Sequence, residues 1–446
     1  MELKQLTISG LHGCYDYDVR FNSDMTFLYG TNGCGKTTVL NIIESIITGE
    51  LFKLFDYTFR IIELIFNNDN IEEKIYIEAQ DGYYKLYFDN KNYELEELYN
   101  ERVEAIRENK RVKLIELYFE KYPVLKEIRK IFNYIYLPLN RKNSKHSYQN
   151  IHRLSYFGVR SDISNHYLRN RFDDSFLDDV SNIIKENYRA IALEISGVND
   201  KFRNDVLKSF LKLDYNYNKI DIVDKFINNN ELVKELQSIQ TSYVKMLKEL
   251  MILDIDGILE LNQTFSQIIQ NINGVHSLKN ETDALVDFLI KYQGIMKIKE
   301  LVMLAETMEA TKRGYKQPIE LFLETMNSFI DNTEDEKKIS INNHGEISFK
   351  TKYADNEIDI KYLSSGEKQL LIFFAYLIFE VDKNSKGIFV VDEPELSLHL
   401  SWQRQFVSKI REVNPNIQLI FATHAPEIIG ANYDKMVELT KVFNKK

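Results

Sequence analysis

The chain has 446 residues, of which 44% are hydrophobic and 28% charged; this excludes a single small module and a disordered chain. With 57 Lys and Arg against 67 Asp and Glu, the formal charge of −10 excludes a whole-surface grip on nucleic acid and confines any such site to a local patch. Two cysteines, Cys14 and Cys34, exclude a disulfide scaffold and a cysteine-based zinc module.

The opening MELKQLTISG lacks the layout of a signal peptide and no apolar run is long enough to span a bilayer, so a cytoplasmic protein with no membrane role is expected. Residues 3–9, 15–21 and 25–29 alternate or are β-rich and are expected to be three short strands, followed by a Gly-rich loop. After the loop, Val39, Leu40, Ile42, Ile43, Ile46 and Ile47 recur at helical spacing, and the stretch ends at Gly49. From about 58 to 90 the period falls to two, between Asn/Asp/Gly clusters, which predicts an antiparallel sheet. A charged helical stretch over about 95–130 leads into IFNYIYLP, read as a buried strand.

No proline occurs between Pro138 and Pro318, and helical spacing around 176–192, 222–252, 283–293 and 296–330 predicts a mostly α-helical lobe. No sustained heptad array is present, so a long coiled-coil arm is not expected. The acidic run Asp331 to Glu336 reads as a solvated linker, and 338–362 returns to short strands. The remainder alternates helix (366–380), strand (387–391), helix (399–412) and strand (417–422), the pattern of a parallel sheet covered on both faces. The expected fold is therefore α/β, with a mixed sheet and an antiparallel β subdomain, interrupted by a mostly α-helical insertion. Its parts would be 1–138, a helical insertion over 139–330, and 331–446.

The loop Gly30-Thr-Asn32-Gly33-Cys34-Gly35-Lys36-Thr37-Thr38 satisfies G-x-x-x-x-G-K-[ST] between a predicted strand and a predicted helix. Glycines let backbone N–H groups converge on phosphate, the helix N-terminus adds its positive end, Lys36 reaches the β- and γ-phosphates, and Thr37 offers an oxygen to Mg²⁺. Cys34 reads as a small filler. Downstream, GIFVVDEP places Asp392 and Glu393 at a strand's carboxyl end. There Asp392 would hold Mg²⁺, and Glu393 would orient or deprotonate the attacking water. His424 in LIFATHAPE would lie at the neighbouring strand end, within reach of a γ-phosphate. Leu363-Ser364-Ser365-Gly366-Glu367-Lys-Gln precedes an apolar helix and is either a ligand-binding helix start or simply a cap.

The ordered set GTNGCGKTT, LSSGEKQ, VVDEPELSLH and FATHAP resembles the ABC-type AAA-family ATPases of the SMC, RecF and OLD groups. The resemblance implies ATP and Mg²⁺ as cofactors and a head-to-tail dimer. In that dimer Ser364 and Gly366 of one copy would meet the γ-phosphate held by the other. Three residues depart from the transporter form: Ser365, Glu367 where glutamine is usual, and His399 where aspartate is common. Gln149 is the candidate for the glutamine loop, against a surface reading.

The opening GLHGCYDYDVRF through GCGKTT, with YLPLNRK, is further similar to ATPases of bacterial anti-phage systems of the Septu and PARIS kind, which pair the ATPase with a separately encoded effector nuclease. Too little chain follows His424 for a fused nuclease domain, so a nuclease partner is expected to be another chain. One local patch bears on nucleic acid: Arg141, Lys142, Lys145, Arg153, Arg160, Arg169 and Arg171 stand against Asp162 alone, interleaved with Tyr148, Tyr156, Phe157 and Tyr167. Nucleic-acid contact through 140–171 and a solvated face over buried aromatics both fit it. The rival functions are a RecF-like clamp that grips DNA itself and an adaptor whose nucleotide is structural.

Overall fold

The computed structural model describes residues 1–68, 71–107, 111–132, 134–138, 172–211, 229–249, 259, 262–263, 265–267, 269, 281–331, 335–381, 387–440 and 442–443. The predicted basic patch at 140–171 and Gln149 lie outside the described residues. The chain divides into two compact units, Met1–Asn187 with Glu320–Lys446, and Tyr188–Ile319.

In the first unit the chain opens with β1 (Glu2–Leu11), β2 (Tyr15–Arg20), β3 (Met25–Tyr29) and α1 (Lys36–Ile47). It continues through β4 (Ile61–Asn68), β5 (Ile71–Gln80), β6 (Tyr83–Phe88) and β7 (Lys91–Glu96), then α2 (Tyr99–Arg107), α3 (Arg111–Lys121), α4 (Pro123–Ile131) and β8 (Tyr134–Pro138). The long helices α5 (Phe172–Leu211), α6 (Asn229–Glu249) and α7 (Glu281–Ile330) follow. The chain closes with β9 (Lys338–Ile341), β10 (Ile347–Thr351), β11 (Ala354–Asp359), α8 (Ser365–Phe379), β12 (Ile388–Asp392), α9 (Leu400–Val413), β13 (Gln418–Ala422), α10 (Pro426–Ile429), β14 (Met436–Glu438) and β15 (Val442–Phe443).

Two sheets carry the first unit. Strands of alternating burial form an antiparallel sheet in the order β15-β2-β1-β4-β5-β6-β7. The mostly apolar strands form a parallel sheet in the order β14-β3-β13-β12-β8, so segments from both chain ends lie side by side. Period-two alternation then divides its faces. Ile388, Val390, Ile420 and Ala422 enter one core with α1 and the antiparallel sheet, whereas Phe389, Val391, Leu419 and Phe421 enter a second core with α8 and α9. A third, three-stranded sheet runs β11-β10-β9.

A buried amide stitches the two large sheets together. Gln418, 2% exposed, accepts from Leu3 N–H (2.7 Å) through Oε1 and donates through Nε2 to the carbonyls of Leu3 (2.9 Å) and Asn22 (2.8 Å). Both ends of the amide are satisfied, so the junction is directional at little desolvation cost.

In the second unit, Met246, Leu247, Val302 and Ala305 pack with Phe202, Tyr243 and Ile298, joining the three long helices, and Lys299 pairs with Glu235 at 2.6 Å. The segments 283–293 and 296–330, read from sequence as separate, are one helix of 50 residues, with Pro318 inside it. Among the described residues no helix is long and apolar enough to cross a membrane.

Candidate functional site

The phosphate-loop candidates lie between β3 and α1. Gly35 caps α1 at φ +102, a conformation L side chains rarely adopt, and a Cβ there would come within 2.6 Å of the Tyr17 hydroxyl. That hydroxyl donates to the Cys34 carbonyl (2.9 Å), so β2 braces the loop, and burial raises the Tyr17 pKa. Asn32, Gly33 and Thr37 are exposed, Thr38 is half-buried, and Cys34 is buried as a filler against Gly30. Lys36 is 6% exposed, and its ammonium donates to the Gly30 carbonyl (3.0 Å) and lies 3.8 Å from Cys34 Sγ.

The acidic pair reaches this loop through strand register. Asp392 pairs with Ala422, and Ala422 with Leu28, so the ends of β12, β13 and β3 align. Asp392 accepts a hydrogen bond from the Thr37 hydroxyl and feels the Lys36 charge. Its Oδ1 is buried and has no protein partner. A carboxylate oxygen left without a donor beside an exposed hydroxyl is an oxygen donor set that suits Mg²⁺, which keeps water and phosphate oxygens as its other ligands. Among the described residues no cluster of three or more His, Cys, Asp or Glu forms an all-protein metal cage. Thr37 and Asp392 thus fit the implied cation.

Burial, with the Glu393 and Glu395 charges behind it, pushes Asp392 up to about 6 against the opposing Thr37 hydrogen bond and Lys36 charge. A raised carboxylate binds a proton in the fold that the unfolded chain has released. Its stabilising contribution is therefore complete below the ordinary pKa of 3.8 and lost as pH rises through about 6. We predict that Asp392→Asn, in EDTA and without nucleotide, melts above the parent at pH 8, by at most about 3 kcal/mol. The gap should close as pH falls toward about 4. Melting curves with a pH-independent gap would contradict this account.

Glu393 turns the chain beyond the sheet. It holds φ +50, in the left-handed region, and its N–H donates to the Ala422 carbonyl at 2.8 Å. Two residues on, Glu395 does something composition and spacing did not reveal. Its carboxylate accepts from the Thr423 hydroxyl (2.8 Å) and from the His424 N–H (2.8 Å), fixing the exposed His424 to the acidic loop. Only the unusual density of acids in DEPE hints at it in the sequence.

Ser364 and Gly366 lie at the start of α8, in the same unit. Ser364, exposed, is the N-cap of α8; its Oγ accepts from Glu367 N–H (3.4 Å), and the Glu367 carboxylate accepts from Ser364 N–H (2.6 Å), a reciprocal capping box. Gly366 packs against the loop after the acidic pair: a Cβ there would lie 2.3 Å from the Ser397 carbonyl and 3.2 Å from Trp402. His399, in the departing position, caps α9 by accepting from Ser401 N–H at 3.3 Å.

The arrangement gives an ammonium and a helix N-terminus for phosphate, two oxygens for a hard cation, a carboxylate beyond the strand end and a histidine tied to the same loop through Glu395. The sequence matches the family described as AAA ATPase domain over residues 1–429. It is 26% identical over 198 residues to the retron Vc95 probable ATPase of Vibrio cholerae serotype O1 biovar El Tor, a stretch that is 38% of this chain and 38% of that protein. It is 32% identical over 89 residues to the Septu protein PtuA of Bacillus thuringiensis, 18% of this chain and 22% of that one. The matched stretches therefore span well under half the length of these curated relatives. Among solved structures, the Smc head domain with an extended coiled coil from Pyrococcus furiosus is 13% identical, covers 98% of this chain and 93% of its own, and superposes at a TM-score of 0.43.

Proposed function

The chain belongs to the AAA ATPase domain family, and from that premise we propose that it binds and hydrolyses Mg·ATP as a regulated switch in a bacterial anti-phage defence assembly. One observation carries the chemical half of this reading. Asp392, from the far end of the chain, meets Thr37 and Lys36 and keeps a buried oxygen without a donor. Similarity to proteins named as a retron ATPase and a Septu protein supports the biological half.

In this reading Lys36 and the N–H groups of Gly33 and of Gly35 to Thr38 bind the β- and γ-phosphates, and Thr37 and Asp392 would hold Mg²⁺. Held by Thr37 and Asp392, such a cation would supply positive charge against the charge that develops on the transferred phosphoryl group. Glu393 takes the proton of the attacking water, while His424, tethered through Glu395, faces the γ-phosphate. Ser364 and Gly366 serve the site of a second copy, so turnover needs two chains. ATP binding then sets the paired state and hydrolysis releases it, and a separately encoded effector, expected to be a nuclease, reads that state.

The test is phosphate release and solution mass of the purified chain, with and without Mg·ATP and with the product of the neighbouring reading frame. The expected result is slow Mg²⁺-dependent release, an ATP-dependent doubling of mass, and an effector whose activity follows nucleotide state. Bound nucleotide without phosphate release would favour the structural adaptor. Salt-sensitive duplex binding by the chain alone would move the reading to a RecF-like DNA clamp.

A further inference from the structure

The capping box at the serine motif has a third member. Glu367 is buried, and both its oxygens lie against the Lys337 ammonium, Oε1 at 3.0 Å and Oε2 at 3.2 Å. Oε2 is also the atom that accepts the Ser364 N–H. Lys337 is itself mostly buried; its ammonium lies 3.9 Å from Asp335 Oδ2 and 5.8 Å from the centre of the Phe349 ring. A glutamine at 367 has one acceptor oxygen for both the Ser364 N–H and the Lys337 ammonium, and it could not neutralise that buried charge. The departure from glutamine thus has a partner in the fold.

Lys337 stands just ahead of β9, where the chain comes back from α7. The last turn of α7 is clasped to β9 by one side chain: Asn327 donates to the Ile339 carbonyl (3.1 Å) and accepts from the Ile339 N–H (2.8 Å). A continuous set of directional contacts therefore runs from the end of α7 through Asn327, Ile339, Lys337 and Glu367 to the backbone of Ser364. The chain's one tryptophan, Trp402, lies against Gly366 two residues beyond that serine.

We infer that Lys337 is a positioning residue for the serine motif, holding Ser364 through Glu367 so that the orientation of the motif follows the end of the long helix α7. The inference rests on the ATPase reading above, in which Ser364 serves a nucleotide site across the dimer. Without Lys337 the Glu367 carboxylate is left buried against a backbone N–H, and it must take up a proton or turn to water. Either response loosens the cap of α8, while the phosphate loop, built from β3 and α1, is untouched.

The test compares Lys337→Met, Lys337→Arg and Glu367→Gln in the full-length chain, with folding checked by circular dichroism. Lys337→Met is expected to lower kcat about tenfold while affinity for a fluorescent ATP analogue stays within about twofold. It should also weaken ATP-dependent pairing and change the Trp402 emission. Lys337→Arg should restore most of kcat, because it keeps the charge. Lys337→Met with parental kcat, or with kcat and nucleotide affinity lost together, would overturn the inference. If Lys337→Met does not fold, Glu367→Gln decides: a kcat equal to the parent's overturns the inference and a selective fall in kcat supports it. If the parent chain itself releases no phosphate, it is the ATPase reading that falls; Trp402 emission then decides the positioning role, an unshifted spectrum in Lys337→Met counting against it.

Discussion

Lys36→Ala is expected to lose nucleotide binding by about 100-fold or more, with the fold intact. The ammonium is held inside the loop by the Gly30 carbonyl at 3.0 Å and has little access to water, so it is already aimed where the phosphates would sit. A charge-assisted hydrogen bond of that kind contributes about 3 kcal/mol, or about two decades in affinity. The substitution also removes a cation that holds Asp392 down, so the carboxyl moves further above its ordinary range and a cation there becomes harder to bind near neutral pH. The two effects act in the same direction. Calorimetric titration with ATP and Mg²⁺, alongside a circular dichroism spectrum matching the parent, is the measurement. A variant that binds ATP as the parent does would remove Lys36 from the site and the phosphate-loop assignment with it.

How far the sequence reveals such a site depends on whether the contact is local. The loop from Gly30 to Thr38 is legible because strand, glycines, lysine and helix are consecutive, and each residue type is demanded by backbone geometry or charge. The parallel sheet is legible as a class, since strands buried on both faces read as apolar runs such as GIFVV and IQLIFA. Its order is not: β3 lies between β14 and β13, and no periodicity within a strand records its neighbour. Glu395 and Lys337 escape for the same reason. Each works through a partner far along the chain, Glu395 on the His424 N–H and Lys337 on Glu367, and neither carries a spacing signal. The helical spacing over 283–293 and over 296–330 leaves a gap at Gly294, which reads as two helices. In the structure the helix continues through it, packing elsewhere along its length outweighing the cost of one glycine.

Glu393→Gln should separate binding from chemistry. The backbone at 393 sits at φ +50 and is pinned by the N–H bond to Ala422, so the substitution changes the headgroup while leaving the turn that presents it. Glutamine keeps the shape and can still orient a water, but it cannot take the proton. General-base loss of this kind lowers turnover by about 10²- to 10⁴-fold. Binding should survive and even improve slightly below neutral pH. The Glu393 charge is one cause of the raised Asp392 pKa, and removing it lets Asp392 ionise at lower pH and meet a cation sooner. With binding retained and hydrolysis blocked, the nucleotide-bound state has no exit through chemistry, so the paired form should persist in ATP for as long as the nucleotide remains uncleaved. Light scattering would read this as a stable doubled mass, while phosphate release falls to background. Turnover within about twofold of the parent would show that another group activates the water, and the role would have to pass to a neighbour such as His424.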